Sequence, residues 1–105
     1  MQSIVELDIH QAKKALDDGS AVFLDIRDPG SHADAHIAGA LHLNDDTLPE
    51  FLKGADKSKL TVVYCYHGMS SRSATAFLSQ QGFEAVRSMS GGFEAWRGTY
   101  EHARK

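Results

Sequence analysis

Cys65 is the only cysteine among 105 residues, and its position suggests covalent chemistry. It closes an apolar, β-branched run, Thr61-Val62-Val63-Tyr64-Cys65, and is followed by Tyr66-His67-Gly68-Met69-Ser70-Ser71. Beyond that loop, Ala74, Phe77 and Leu78 recur at helical spacing up to a stop at Gly82. A loop this short, with Gly68 at its middle, can turn its backbone N–H groups inward around the Cys65 sulfur, and the next helix adds the positive end of its dipole. Such an anion cradle lowers a thiol pKa from about 8.5 toward or below neutrality and leaves a thiolate, the nucleophilic form. Cys65 is therefore the candidate nucleophile, and Tyr66, His67, Gly68, Met69, Ser70 and Ser71 form the candidate substrate-binding loop. Ser70 or Ser71 also suits the N-cap of the helix. A free cysteine packs just as readily as a small buried hydrophobe. The conjunction of strand end, glycine loop and helix start favours the reactive reading.

The remaining elements follow from periodicity and caps. Asp8 with Gln11 reads as a capping box that opens a helix with Ile9, Ala12, Ala15 and Leu16 inward and Gly19 as its stop. Ala21 to Ile26 is a strand, apolar on both faces until Asp25, as a strand covered on both sides should be. Asp28-Pro29 breaks it, a helical turn covers Ser31 to Ala35, and Leu41-His42-Leu43 is a brief strand. Thr47 with Glu50 reads as a second capping box before Leu48, Phe51, Leu52 and Ala55. Ala85 to Met89 is the last strand, and after Gly91-Gly92 a closing helix carries Phe93, Trp96 and Tyr100 on one face. The alternation predicts an α/β fold, a mostly parallel sheet of five short strands, four of which are placed here, with helices on both faces. Ligands in such sheets bind beyond the carboxyl ends of the strands, where Cys65 lies.

Composition narrows the class. With 42% hydrophobic residues, 105 residues close one core, so residues 1–105 are read as one domain. A lone cysteine cannot form an internal disulfide, which points to a reducing compartment. Met1 to Glu6 lack the basic start and apolar stretch of a signal peptide, and the longest apolar run, Val62 to Tyr66, falls far below the roughly 20 residues of a spanning helix. The expectation is a cytoplasmic protein without membrane contact. Lys and Arg number 11 against 14 Asp and Glu, a net charge of −3, and the basic residues are scattered, which argues against a nucleic-acid partner. Of the six histidines only His32 and His36 are spaced like metal ligands, and no second cluster joins them, so no metal is expected.

The segment Cys65-Tyr66-His67-Gly68-Met69-Ser70-Ser71 resembles the active-site loop of the rhodanese family. Asp25-Ile26-Arg27-Asp28 with His36-Ile37-Ala38-Gly39-Ala40, and Gly91-Gly92-Phe93-Glu94-Ala95-Trp96, resemble the motifs that flank that family's domain. The resemblance, nearest to the family's single-domain thiosulfate sulfurtransferases, implies a rhodanese-like fold and sulfur transfer by double displacement without a cofactor. The Cys65 thiolate would take the sulfane sulfur of thiosulfate, expel sulfite, and pass the sulfur to cyanide or to a thiol such as that of thioredoxin or glutathione. Arg27 and Asp28, with His36, are read as a fold-supporting network, Gly91-Gly92 as a tight turn, and Phe93 and Trp96 as core.

One departure bears on the substrate. Some thiosulfate-using relatives carry lysine or arginine inside the loop, whereas here attraction of the dianion rests on backbone N–H groups, partial protonation of His67 and Arg72 at the helix start. Weak thiosulfate binding is expected, and another donor stays open. Two rivals remain: a persulfide carrier or non-catalytic module of the same fold, and a cysteine phosphatase or arsenate reductase. The related phosphatase loop carries arginine six positions after its cysteine, where this chain has Ser71, with Arg72 one later.

Overall fold

The computed structural model describes residues 5–103. Among them, the strands β1 (Glu6–Leu7), β2 (Ala21–Asp25), β3 (Leu41–His42), β4 (Leu60–Tyr64) and β5 (Val86–Met89) alternate with the helices α1 (Ile9–Asp18), α2 (Pro29–Asp34), α3 (Leu48–Gly54), α4 (Ser70–Gln80) and α5 (Gly92–Arg97). The sheet order is β1-β5-β4-β2-β3 and each neighbouring pair is parallel, so β4, which delivers Cys65, is central. This is the expected α/β sheet. Successive residues of a strand face opposite ways, and each side finds its helices. Phe23, Val62 and Tyr64 pack with Ala12, Phe93 and Trp96 on one face, while Leu24, Val63 and Val86 pack with Leu78, Leu48 and Phe51 on the other. No helix is long and apolar enough to cross a membrane among the described residues.

The local signals hold where the cap is a short-range matter. The Asp8 carboxylate accepts from Gln11 N at 2.8 Å, the Gln11 side chain accepts from Asp8 N at 3.0 Å, and Gly19 ends α1 at φ 68°. Asp28 caps α2 through Ser31 N at 2.9 Å, with Pro29 as first helical residue. The capping box at Thr47 does not form. Thr47 has helical backbone angles, φ −92° and ψ −17°, with no side-chain cap bond. Its hydroxyl instead accepts from Asn44 N at 2.8 Å and donates to His42 O at 3.2 Å, closing the turn behind it. The last helix is also shorter than expected: α5 stops at Arg97, and Tyr100 packs on Trp96 from beyond its end, ring centroids 5.0 Å apart. His32 and His36 stack at 4.1 Å and hydrogen-bond through ring nitrogens to the carbonyls of Ala40 and His32, respectively.

A buried ion pair ties β2 to the segment that follows it. Arg27 meets Asp25 through Nη2 to Oδ2 at 2.6 Å and Nε to Oδ1 at 3.0 Å, and also donates to the Ala35 carbonyl at 2.5 Å. Its partner is thus Asp25, two residues away, and not Asp28 or His36. The guanidinium lies 4.1 Å from the Phe93 ring centroid, so the same group reaches the α5 side. Burial alone would lower the Arg27 pKa, but hydrogen bonding and charge attraction from Asp25 raise it above its ordinary value. Asp25 is fully buried. Arg27→Ala would leave that carboxylate unpaired, which costs about 3–5 kcal/mol. The expected outcome is a lower midpoint in urea unfolding with an unchanged slope.

Candidate active site

The strand β4 ends at Tyr64, and the chain turns at Cys65 into the loop that leads to α4. Cys65 Sγ accepts from Gly68 N at 3.2 Å and from Ser71 N at 3.3 Å, and lies 3.4 Å from Ser71 Oγ. Ser71 is the second residue of α4, and the N–H at that position normally finds a capping side chain two residues earlier. Here neither Ser70 nor Ser71 caps. Met69 occupies the N-cap position with no side-chain bond, and the sulfur of Cys65 takes the cap's place. The helix end that needs an acceptor and the Cys65 sulfur that can take donors satisfy one another.

The thiol responds to two opposed influences. Burial, the larger single effect, pushes its pKa up. The hydroxyl and amide of Ser71 with the amides of Gly68 and His67 together pull it below the ordinary thiol value. Cys65 is 4% exposed and so lies at the floor of the loop, while Met69 is 72% exposed at its rim.

The other predicted loop residues divide by role. His67, Gly68 and Ser71 serve the sulfur through the backbone, Ser71 also through its side chain. Tyr66 turns its hydroxyl to the Asp28 carboxylate and to Ser31 Oγ, which ties the loop to the start of α2. That bond and those from Ser31 hold the Asp28 carboxyl well below the usual carboxylate range. Ser70 and Arg72 are exposed on the first turn of α4, and His67 is exposed on the loop.

What the residue types alone did not reveal is how the loop is held from behind. Two further N-terminal helical amides, those of Phe93 and Glu94 in α5, donate to the carbonyls of Cys65 and Tyr66 at 2.8 and 3.0 Å. The helix α5 has no side-chain cap, and the loop's carbonyls fill that need. Gly92 makes the approach possible. A Cβ on Gly92 would lie 2.4 Å from Tyr66 O and 2.6 Å from His67 N, and on Gly68 it would lie 2.9 Å from Gly91 N. The paired glycines therefore do more than turn the chain: they let two backbones touch.

Gly92→Ala is expected to displace the loop and raise the Cys65 pKa. Iodoacetamide alkylation at neutral pH should then slow by roughly tenfold, the equivalent of one pKa unit. Gly19→Ala is the control. It carries the same left-handed strain, at φ 68°, with nothing within 4 Å of the added methyl, and should lower stability without changing the thiol.

Comparison with known proteins places this arrangement. The model of the Rhodanese-like domain matches residues 8–99. A protein of Stutzerimonas stutzeri (strain A1501) named thiosulfate sulfurtransferase GlpE is 51% identical over 86 residues, 82% of this chain and 79% of that protein. One of the same name from Pseudomonas fluorescens (strain Pf0-1) is 51% identical over 87 residues, 83% and 80% of the two chains. The crystal structure of the Alr3790 protein from Anabaena sp. superposes with a TM-score of 0.85 at 28% identity, covering 94% of this chain and 82% of that one. With a family match over residues 8–99 and relatives at 51% identity over most of its length, the chain belongs to the rhodanese-like domain family.

Proposed function

We propose that this protein is a thiosulfate sulfurtransferase that carries the sulfane sulfur on Cys65 as a persulfide and delivers it to cyanide or to a thiol acceptor. The observation that carries this reading is the convergence of the Gly68 and Ser71 amides on a sulfur at the carboxyl end of the central strand. The relatives named as thiosulfate sulfurtransferases supply the donor. In the first displacement the thiolate attacks the outer sulfur of thiosulfate. An S–S bond forms to Cys65, the bond to the sulfonate sulfur breaks, and sulfite leaves with the electron pair. In the second, cyanide or a thiolate attacks the terminal persulfide sulfur and the Cys65 thiolate departs. The amides stabilise the anion on either side of each step, before any charge has to move. Sulfur is itself the carrier, so the reaction needs no cofactor. Small thiols and thioredoxin-like dithiols are the acceptors that suit a nucleophilic second step, and the reducing cytoplasm supplies them.

The phosphatase alternative finds no support in the loop. Arg72, one position later than that chemistry uses, is exposed on the outside of the first turn of α4. The neutral loop has a different consequence, weak affinity for a dianion. Because Met69 is 72% exposed, a cation there would act at the mouth without disturbing the core. Met69→Lys is expected to lower the KM for thiosulfate about fivefold at low salt, from roughly 1 kcal/mol of attraction, with the gain fading as ionic strength rises.

Cys65→Ala is expected to fold normally and to form no thiocyanate from thiosulfate and cyanide. Mass spectrometry after thiosulfate treatment should find one added sulfur on the native chain and none on the variant. Residual turnover by the variant would refute the assignment. The lowered thiol pKa fixes the pH dependence. The thiolate is the reactive form, so transfer should rise with pH and level off below the pH at which the same cysteine titrates in the urea-unfolded chain.

A further inference from the structure

Behind Cys65 runs a chain of two hydroxyls that the reaction as written does not use. Ser71 Oγ lies 3.4 Å from the sulfur and 2.7 Å from Ser88 Oγ. Both serines are fully buried, Ser71 on α4 and Ser88 on β5. Seventeen residues separate them, and they meet because α4 packs on the face of β5.

A hydroxyl donates one hydrogen bond and accepts others, and its proton rotates to suit. When Cys65 is a thiol, its S–H can point to Ser71, whose proton then points to Ser88. After the thiol proton has left to solvent, the sulfur accepts only. The chain must then run the other way, from Ser88 to Ser71 and from Ser71 to sulfur. Neither direction leaves Ser71 with two donors facing one another, and no proton has to enter or leave the buried pair. Without Ser88, Ser71 would lose the donor that polarises its own O–H toward the anion.

We propose that Ser88 is a positioning residue for the sulfur anion, a buried donor that acts through Ser71 to aim a hydroxyl proton at Cys65. The inference rests on Cys65 being the reactive thiol. It goes beyond that reading by assigning a role to a fully buried residue on β5, a different strand from the one that delivers Cys65. The charged or titratable side chains on the elements around the pair are Glu6 on β1, Tyr64 on β4, Arg72 on α4 and Arg87 on β5, with Tyr66 and His67 on the loop. All are common to the variants below, so differences among those variants report on the hydroxyl chain.

The test is the pH profile of iodoacetamide alkylation of Cys65 in the native chain, Ser71→Ala, Ser88→Ala and the double variant. Ser88→Ala should move the profile to higher pH and slow alkylation on its acid limb by about threefold, a typical net hydrogen-bond effect. Ser71→Ala should move it further, and adding Ser88→Ala to Ser71→Ala should change nothing more, because Ser88 would have lost the group through which it acts. Ser88→Thr keeps the hydroxyl and should retain the native profile, which separates loss of the donor from disturbed packing. An unshifted profile in Ser88→Ala, equal shifts in the presence and absence of Ser71, or a Ser88→Thr profile matching that of Ser88→Ala would overturn the proposal. Alkylation reads the thiol alone, so these results stand whether or not sulfur transfer survives in Cys65→Ala.

Discussion

The proposed reaction depends on keeping a sulfur anion at the floor of a loop, nearly out of water. Desolvating an anion costs several kcal/mol unless fixed donors replace the lost hydration. Fixed is the operative condition, since a loop free to relax would turn its amides to solvent and the thiol would reprotonate. Two helix starts meet the requirement together. The Ser71 amide in the first turn of α4 faces the sulfur, and the Phe93 and Glu94 amides of α5 hold the carbonyls of Cys65 and Tyr66 from behind. Each helix has an N-cap without a side-chain bond, and in each case the cysteine loop supplies the missing acceptor.

The rest of the fold secures those two helix starts. Parallel strands bring their carboxyl ends to one edge, so β4 and β5 release their chains side by side, one into the cysteine loop and the other into Gly91-Gly92. The glycines then allow the backbones to approach to a distance that a Cβ would forbid. Arg27 bridges the neighbouring region. It is paired to Asp25 at the end of β2, hydrogen-bonded to Ala35 beyond α2, and stacked over Phe93 in the first turn of α5. Tyr66 adds a tether on the outer side, through Asp28 and Ser31. A motif that looks remote in sequence thus acts on the loop through α5 and α2.

Features that depend on near neighbours were legible in the sequence. Strands buried on both faces announce themselves as unbroken apolar runs, and the Asp8–Gln11 box and the stop at Gly19 are complete within one helix. The strand-loop-helix setting of Cys65 was legible for the same reason. Strand β1 was not, because two residues, Glu6 and Leu7, carry no periodicity, and their place is decided by backbone bonds to β5. Thr47 and the serines at the start of α4 show the limit of cap signatures. The residue types suit a cap, but Thr47 has helical backbone angles and Ser71 lies inside the helix with a stronger claim on its donors from Cys65. The partner of Arg27 and the contact between Ser71 and Ser88 depend on which atoms the folded chain brings together, and spacing along the chain carries no record of that.

A loop without lysine or arginine also makes chemical sense within this architecture. Side-chain cations would hold a dianionic donor at the mouth, but they would hold sulfite there equally well after the first displacement. In the proposed reaction, donors fixed in the backbone serve the Cys65 thiolate before the attack and the terminal persulfide sulfur after it, until the second displacement returns the charge to Cys65. The charge is therefore stabilised where it recurs, at the floor of the loop, while Tyr66, His67 and Met69 are exposed to solvent around it. On this account the loop gives up affinity for thiosulfate and keeps the donors that hold the cysteine in its nucleophilic form.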